Sequence, residues 1–256
     1  MMRVNLIPMA GDGQRFKTAG YKEPKPLLET DGLPMIIRAC DALPEADKYI
    51  FVCRKSHLQD TDLENMLRQR YRNTTIMKIE HLSEGQAATC LLAKDDIPDE
   101  AMLTIGPCDN DMIYDGQKLN QLIADPQIDG WVYTFRGNPA AVKTPNMYGW
   151  VRTSPHSNTI INVSCKQPIS NNVINDHAVV GAFGFKKAKI FFDAIEEMVR
   201  KNSRIGNEFY VDVAINFAIN AGRRFEVFET QQYICWGTPE EYEIYRYWAA
   251  YFKKRQ

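Results

Sequence analysis

One α/β domain with a doubly wound, mostly parallel mixed sheet is the fold class predicted by the order of hydrophobic patterns in this 256-residue chain. Two observations carry the prediction. Short β-rich runs alternate with helix-patterned segments over residues 4–135, and the first run empties into a glycine-bearing loop, where sheets of this kind bind ligands. No linker-like composition divides the chain, so residues 1–136 and 137–256 read as two halves of one domain.

The first stretch, Val4 to Leu28, reads VNLIPMAGDGQRFKTAGYKEPKPLL. Val4–Met9 has the length and flanks of a buried strand. Gly11 and Gly13 after it allow a tight turn and close backbone approach to a ligand. Arg15 and Lys25 supply positive charge, and Pro24 and Pro26 stiffen the segment that presents Lys25. Together they predict an anion site, with phosphate as the fitting group. A dinucleotide fingerprint wants a third small residue where Arg15-Phe16 stands, and GxxxxGK[ST] occurs nowhere, so neither common glycine loop fits.

The alternation continues in order. A helix is predicted over Pro34–Leu43, a strand over Lys48–Cys53, a helix from an Asp60 or Thr61 cap through Arg70, and a strand over Thr74–His81. Helix Gln86–Lys94, strand Ala101–Ile105, helix Gly116–Ala124 and strand Gly130–Phe135 follow. Beyond Arg136 the pattern turns to short strands in Asn146–Arg152, Thr159–Lys166 and Ala178–Phe185, then helices over Lys187–Asn202 and Asn207–Gly222. A last helix opens at Pro239 with Thr238 as its cap. Its aromatic tail, Tyr242 to Arg255, reads as a packed helix or a homodimer surface, with packing favoured.

Composition narrows the function. A net charge of −1 removes the electrostatic case for nucleic-acid binding, and 45% hydrophobic residues suffice for a full core. No apolar run has membrane-span length and the start is too quickly polar for a secretory signal, so a cytoplasmic protein is expected. The six cysteines show no CxxC or Cys/His pairing, which argues against zinc and a disulfide framework.

GDGQRF followed by PKPLL resembles the signature of the sugar-nucleotide pyrophosphorylase family of nucleotidyltransferases, in Gly11, Gly13, Arg15, Phe16, Pro24 and Lys25. Gln14 stands where that family usually has Thr or Ser. The resemblance implies a Rossmann-like, GT-A-type fold, a nucleoside triphosphate held by Ala10, Gly11, Gly13 and Arg15, and a base lined around Glu84, Gly85 and Gln86. Asp109, after the strand ending at Ile105, matches the family's metal aspartate, with Asp111 in reserve. Asp212 resembles the second, so the two would share one Mg²⁺, a hard cation that takes carboxylate oxygens. Tyr148-Gly149 resembles the family's acceptor contact and Lys166 its acceptor-phosphate lysine, with Glu208 four residues before Asp212. A helix start with Glu84 as an early-turn acid and Gly85 as a turn residue would account equally for that segment, and helix-dipole complementation would explain Glu208 alone.

Cys165 departs informatively from the pattern. Sugar-using members commonly carry Glu before the lysine, where its carboxylate reads hydroxyls, and a thiol is a weak acceptor. The acceptor reads as something other than a hexose. Among nearby families the resemblance runs to cytidylyltransferases of bacterial capsule pathways, including the type that charges phosphoglutamine with CMP from CTP. A sugar-1-phosphate uridylyl- or thymidylyltransferase is the alternative. Asp109-Asn110-Asp111 also spells a DxD, which metal-dependent glycosyltransferases use, although these do not need Arg15 and Lys25. A nucleotide-sensing module with a decayed site is the non-enzymatic rival.

Overall fold

The computed structural model describes residues 1–59 and 61–255. The first half supplies β1 (Arg3–Met9), α1 (Gln14–Thr18), α2 (Met35–Asp41), β2 (Lys48–Arg54), α3 (Leu63–Arg70), β3 (Thr74–Ile79), α4 (Gln86–Leu91), β4 (Met102–Ile105), β5 (Asn110–Ile113), α5 (Gly116–Ala124) and β6 (Gly130–Phe135). The second supplies α6 (Pro139–Lys143), β7 (Gly149–Thr153), β8 (Ile160–Cys165), β9 (His177–Phe185), α7 (Ala188–Arg200), α8 (Val211–Asn220), β10 (Phe225–Glu229), β11 (Gln232–Cys235) and α9 (Pro239–Lys253).

Among the described residues, nine strands form one mixed sheet. Strands β4, β1, β2 and β3 lie parallel in that order, which is the βαβ alternation legible in the sequence. Strand β9 then joins antiparallel to β4, β6 and β7, so the sheet runs unbroken across residue 136. Its register shifts between Val179 and Phe183, and a bulge of this kind bends a strand and opens its ladder. Strands β5 and β11 pair in a separate antiparallel ribbon.

Pleating explains why the central runs are apolar throughout. Val4 and Leu6 of β1, with Ile50 and Val52 of β2, enter a core layer beneath α4, α7 and α8. The alternate residues, Ile7 and Met9 with Tyr49, Phe51 and Cys53, enter the opposite layer with Ile36 and Ile37 of α2 and Leu63 and Leu67 of α3. Strands covered on both faces read as continuous hydrophobic runs. A third cluster of Phe16, Leu28, Met35, Trp236 and Tyr242 seats α9 against the first loop.

Three local expectations change. Helix α3 starts at Leu63 with no side-chain cap; the Thr61 hydroxyl donates to the His57 carbonyl at 2.9 Å, and Asp60 lies outside the described residues. The acidic loop after β4 is short because Asn110–Ile113 is a strand, paired with a β11 partner more than a hundred residues away that local pattern cannot reveal. Helix α8 begins at Val211, so Glu208 lies ahead of the helix, bridged to Ile205. All six cysteines are free thiols.

His57 is buried, its Nδ1 has no partner, and burial, then the neighbouring Arg54 charge, pushes its pKa down to about 4. The unfolded chain protonates near 6.5, so this stabilising term is complete above that pH and is lost as pH falls toward 4. On going from pH 7 to 4, urea unfolding should therefore show the wild type losing about 3 kcal/mol more stability than His57→Gln. Parallel profiles would place the acid sensitivity elsewhere.

Candidate active site

A cleft of about 1270 Å³ opens where the parallel strands end, and residues from both halves line it. From the first loop come Ala10, Gly11, Gln14, Arg15 and Lys25; Gly85 and Gln86 come from the start of α4 and Asp109 from the turn after β4. The second half adds Tyr148, Gly149, Lys166, Glu208 and Asp212, with Val179 and Val180 from the bulged part of β9. Widely separated stretches thus converge on one space.

The first loop is built as its sequence suggests. Gly13 takes a left-handed φ of 63° immediately before α1, and Phe16 anchors that helix in the third core cluster. The ring of Phe16 lies 5.7 Å from Lys25 Nζ. Lys25 begins a single 3₁₀ turn after Pro24 and forms an ion pair with Asp109. Burial alone would depress the Lys25 ammonium, but the Asp109 carboxylate outweighs it and the pKa is raised. A fully charged lysine is therefore held at the cleft wall. Arg15 reaches Met147 Sδ at 3.6 Å and makes no ion pair among the described residues, leaving its guanidinium for an anion.

Asp12 braces this loop. It pairs with Lys17 at 2.8 Å and with Arg54 at the end of β2, and these hydrogen bonds, Lys17 first, hold its carboxyl below the usual range. The sequence reading missed it because its partner Arg54 is remote in the chain.

Glu84 behaves differently from the nucleotide contact expected of it. Its carboxylate pairs with Arg204 at 3.1 Å, its carbonyl accepts from Phe209 N at 2.7 Å, and it does not line the cleft. The Phe209 carbonyl in turn accepts from Ala87 N at 3.0 Å. This joint fixes the α4 loop to the segment carrying Glu208. It requires Gly85, whose φ is 109° and whose added Cβ would lie 2.6 Å from the Phe209 carbonyl oxygen.

On the opposite wall, Lys166 Nζ donates to the Tyr210 hydroxyl, which donates to Glu208, and the ammonium lies 4.4 Å from the Tyr210 ring centroid. Lys166 itself has φ 56°, an uncommon conformation for a non-glycine residue. Tyr148 is buried and its hydroxyl donates to Glu241 at 3.2 Å. Glu241, which also accepts from Thr238 at 2.9 Å and from the Cys235 thiol at 3.2 Å, is a cleft residue that sequence reading treated as architecture. The cap-forming Thr238-x-x-Glu241 spacing was its only local signal.

Asp212 lies in the first turn of α8, 9% exposed, with one carboxylate oxygen, Oδ1, lacking any partner. Burial raises its pKa to about 6, against smaller lowering effects from its own backbone and the Cys165 thiol. Gly149 sits directly over it, and a Cβ there would approach Oδ1 to 2.5 Å. Asp111, by contrast, is part of β5, is absent from the cleft lining, and has Arg38 among the charges that act on it. The two acids of the DxD therefore diverge.

These carboxylates suit Mg²⁺. Among the described residues no three His, Cys, Asp or Glu side chains gather as a self-sufficient metal cage. Mg²⁺ binds through one or two carboxylates with phosphate and water completing its shell, and the unsatisfied Asp212 oxygen fits that demand.

No family model matches the sequence, nor does a curated relative. Solved structures do resemble the chain. A nucleoside-diphosphate-sugar pyrophosphorylase from Vibrio cholerae RC9 matches with a TM-score of 0.74 at 21% identity, covering 94% of this chain and 98% of that one. The chain shares the fold of that structure. An inositol-1-phosphate CTP transferase from T. maritima matches at 0.73 and 14% identity over 96% and 94% of the two chains. An apo UDP-glucose pyrophosphorylase matches at 0.72 and 18% identity over the whole of both. No helix among the described residues is long and apolar enough to cross a membrane.

Replacing a buried, uncompensated carboxylate by its neutral isostere removes a desolvation cost. Asp212→Asn should accordingly be more stable than the wild type by about 1–3 kcal/mol at pH 7.5 in EDTA, while losing activity. Denaturant midpoints test this, and a destabilised variant would mean that the Asp212 charge is already paired.

Proposed function

We propose that the protein is a nucleotidyltransferase that transfers a nucleoside monophosphate from a triphosphate to a small phosphorylated acceptor and releases pyrophosphate. The observation that carries this reading is the convergence of Arg15, Lys25, Asp109, Lys166 and Asp212 around one cleft. An acceptor phosphate oxygen attacks the α-phosphorus in line, and the bond to the pyrophosphate oxygen breaks. The nucleophile is already anionic, so the protein's work is alignment and neutralisation of crowded negative charge.

In the proposed reaction the residues take the following roles. Arg15, uncommitted at the loop, holds the leaving pyrophosphate. Lys25 faces the α-phosphate, and Lys166, on the other half, takes the acceptor phosphate. Ala10, Gly11 and Gly13 offer backbone to the triphosphate. Space around Gly11 is open, since a Cβ built there meets nothing within 4 Å. Gly85 and Gln86 border the base and Tyr148, Gly149 and Glu208 the acceptor. Asp109 and Asp212 would hold Mg²⁺, which supplies further charge neutralisation at the phosphates.

For the substrates we favour CTP and a non-sugar acceptor such as phosphoglutamine, in bacterial capsule or surface-polysaccharide biosynthesis. Cys165 supports this, because a thiol stands beside Lys166 where a sugar-reading carboxylate is expected, and it does not line the cleft. The inositol-1-phosphate CTP transferase with the same fold is consistent with CTP use. One observation favours the sugar-1-phosphate uridylyl or thymidylyl alternative: the Glu208 carboxylate lines the cleft beside Lys166, where hydroxyls could donate to it. The divergence of Asp109 and Asp111 weighs against the DxD glycosyltransferase reading.

A matrix of four triphosphates against phosphosugars, phosphocholine and phosphoglutamine, read by pyrophosphate release, tests the proposal. CTP with phosphoglutamine should give the highest rate. Release with no pair at all would defeat the nucleotidyltransferase reading, and a clear preference for a sugar phosphate would defeat the acceptor assignment alone. With the best pair, Lys25→Ala should lower kcat by about two to three orders of magnitude while the fold persists. Near-normal turnover would remove Lys25 from the site.

A further inference from the structure

Helix α9 buries Tyr242 and sets Tyr245 edge-on against Trp236, yet most of its aromatic side chains face solvent. Ile244 is 53% exposed, Tyr247 66%, Trp248 50%, Tyr251 41% and Phe252 59%. Their spacing of three, one, three and one residues places all five on one stripe of the helix. With about 200 Å² available per large side chain, half-exposed, the stripe offers on the order of 500 Å² of apolar surface. A patch of that size lies in the upper part of the range of the largest apolar patch on a single chain, and such patches are often functional. It is also a large part of the roughly 800 Å² that each partner contributes to a stable protein interface.

Four of the five side chains, Ile244, Tyr247, Trp248 and Tyr251, are spaced symmetrically about the midpoint between residues 247 and 248, with Phe252 outside the symmetric set. Glu240 and Arg255 flank those four, four residues before Ile244 and four after Tyr251. Both charges are exposed: Glu240 holds Lys143 at 2.6 Å on the surface, and Arg255 donates to the Tyr251 hydroxyl at 2.9 Å. Rotating this helix by 180° about an axis between Tyr247 and Trp248 lays Tyr247 on Trp248, Ile244 on Tyr251 and Glu240 on Arg255, each pair occurring twice. An isologous two-fold interface demands that self-complementarity.

We propose that α9 is a homodimer interface, in which two copies of this chain pair their α9 helices antiparallel about that axis. Ile244 also belongs to the cleft lining, so the partner copy would sit at the rim of the active-site opening. The aromatic stripe supplies the buried centre of the contact, and the Glu240–Arg255 pairs fix its antiparallel register.

Sedimentation velocity and light scattering on the full chain over a concentration series test the proposal. The wild type should show twice the chain mass at micromolar concentrations. Trp248→Glu should give a single-chain mass with an unchanged far-UV spectrum, because Trp248 is half-exposed in the isolated chain. Glu240→Arg and Arg255→Glu should each weaken association about tenfold, and the double variant should recover to within about threefold of the wild type. A wild type that stays at single-chain mass throughout would overturn the proposal. So would a Trp248→Glu protein that still dimerises, or a double variant weaker than either single one.

Discussion

The ion pair between Lys25 and Asp109 is the constraint on which the site depends. It joins the first loop to the turn after β4, and the same turn accepts the Trp236 backbone N–H at 2.8 Å, drawing in the segment that leads to α9. Three stretches far apart in sequence are thereby held against one another at the carboxyl ends of the parallel strands. The pairing also settles a chemical question, since the lysine is kept as an ammonium despite being largely withdrawn from water.

A second constraint operates across the cleft. Asp212 is buried with an unsatisfied oxygen beneath Gly149, an arrangement that costs stability unless a cation or proton compensates it. Next to it, Lys166, Tyr210 and Glu208 form a hydrogen-bonded chain, and the backbone bonds between Glu84 and Phe209 and between Phe209 and Ala87 tie that chain to the α4 loop. The two walls of the cleft are therefore mechanically connected through Gly85.

Much of this architecture was legible in the sequence because its causes are local. Strand β1 and its loop declared themselves through an apolar run, Gly13 and a proline-flanked lysine, and β6 was bounded as predicted because both of its faces are buried. Where the reading failed, the cause was remote pairing. Strand β5 exists because β11 lies beside it, which is why Asp111 points away from Asp109. Helix α8 starts late because Phe209 is bonded to Glu84 and Ala87 while Ile205 and Glu208 bridge each other, and this separates Glu208 from the helix that carries Asp212.

By itself the sequence determined the alternation of strands and helices, the glycine- and proline-bearing build of the first loop and the identity of the charged residues, since each follows from spacing and side-chain type. Tertiary structure alone decided which charges meet: Lys25 with Asp109, Glu84 with Arg204, Asp12 with Arg54. It alone decided that one face of α9 packs while the other stays open. Those outcomes depend on burial and on contacts between residues far apart in the chain, and neither quantity is written in local pattern.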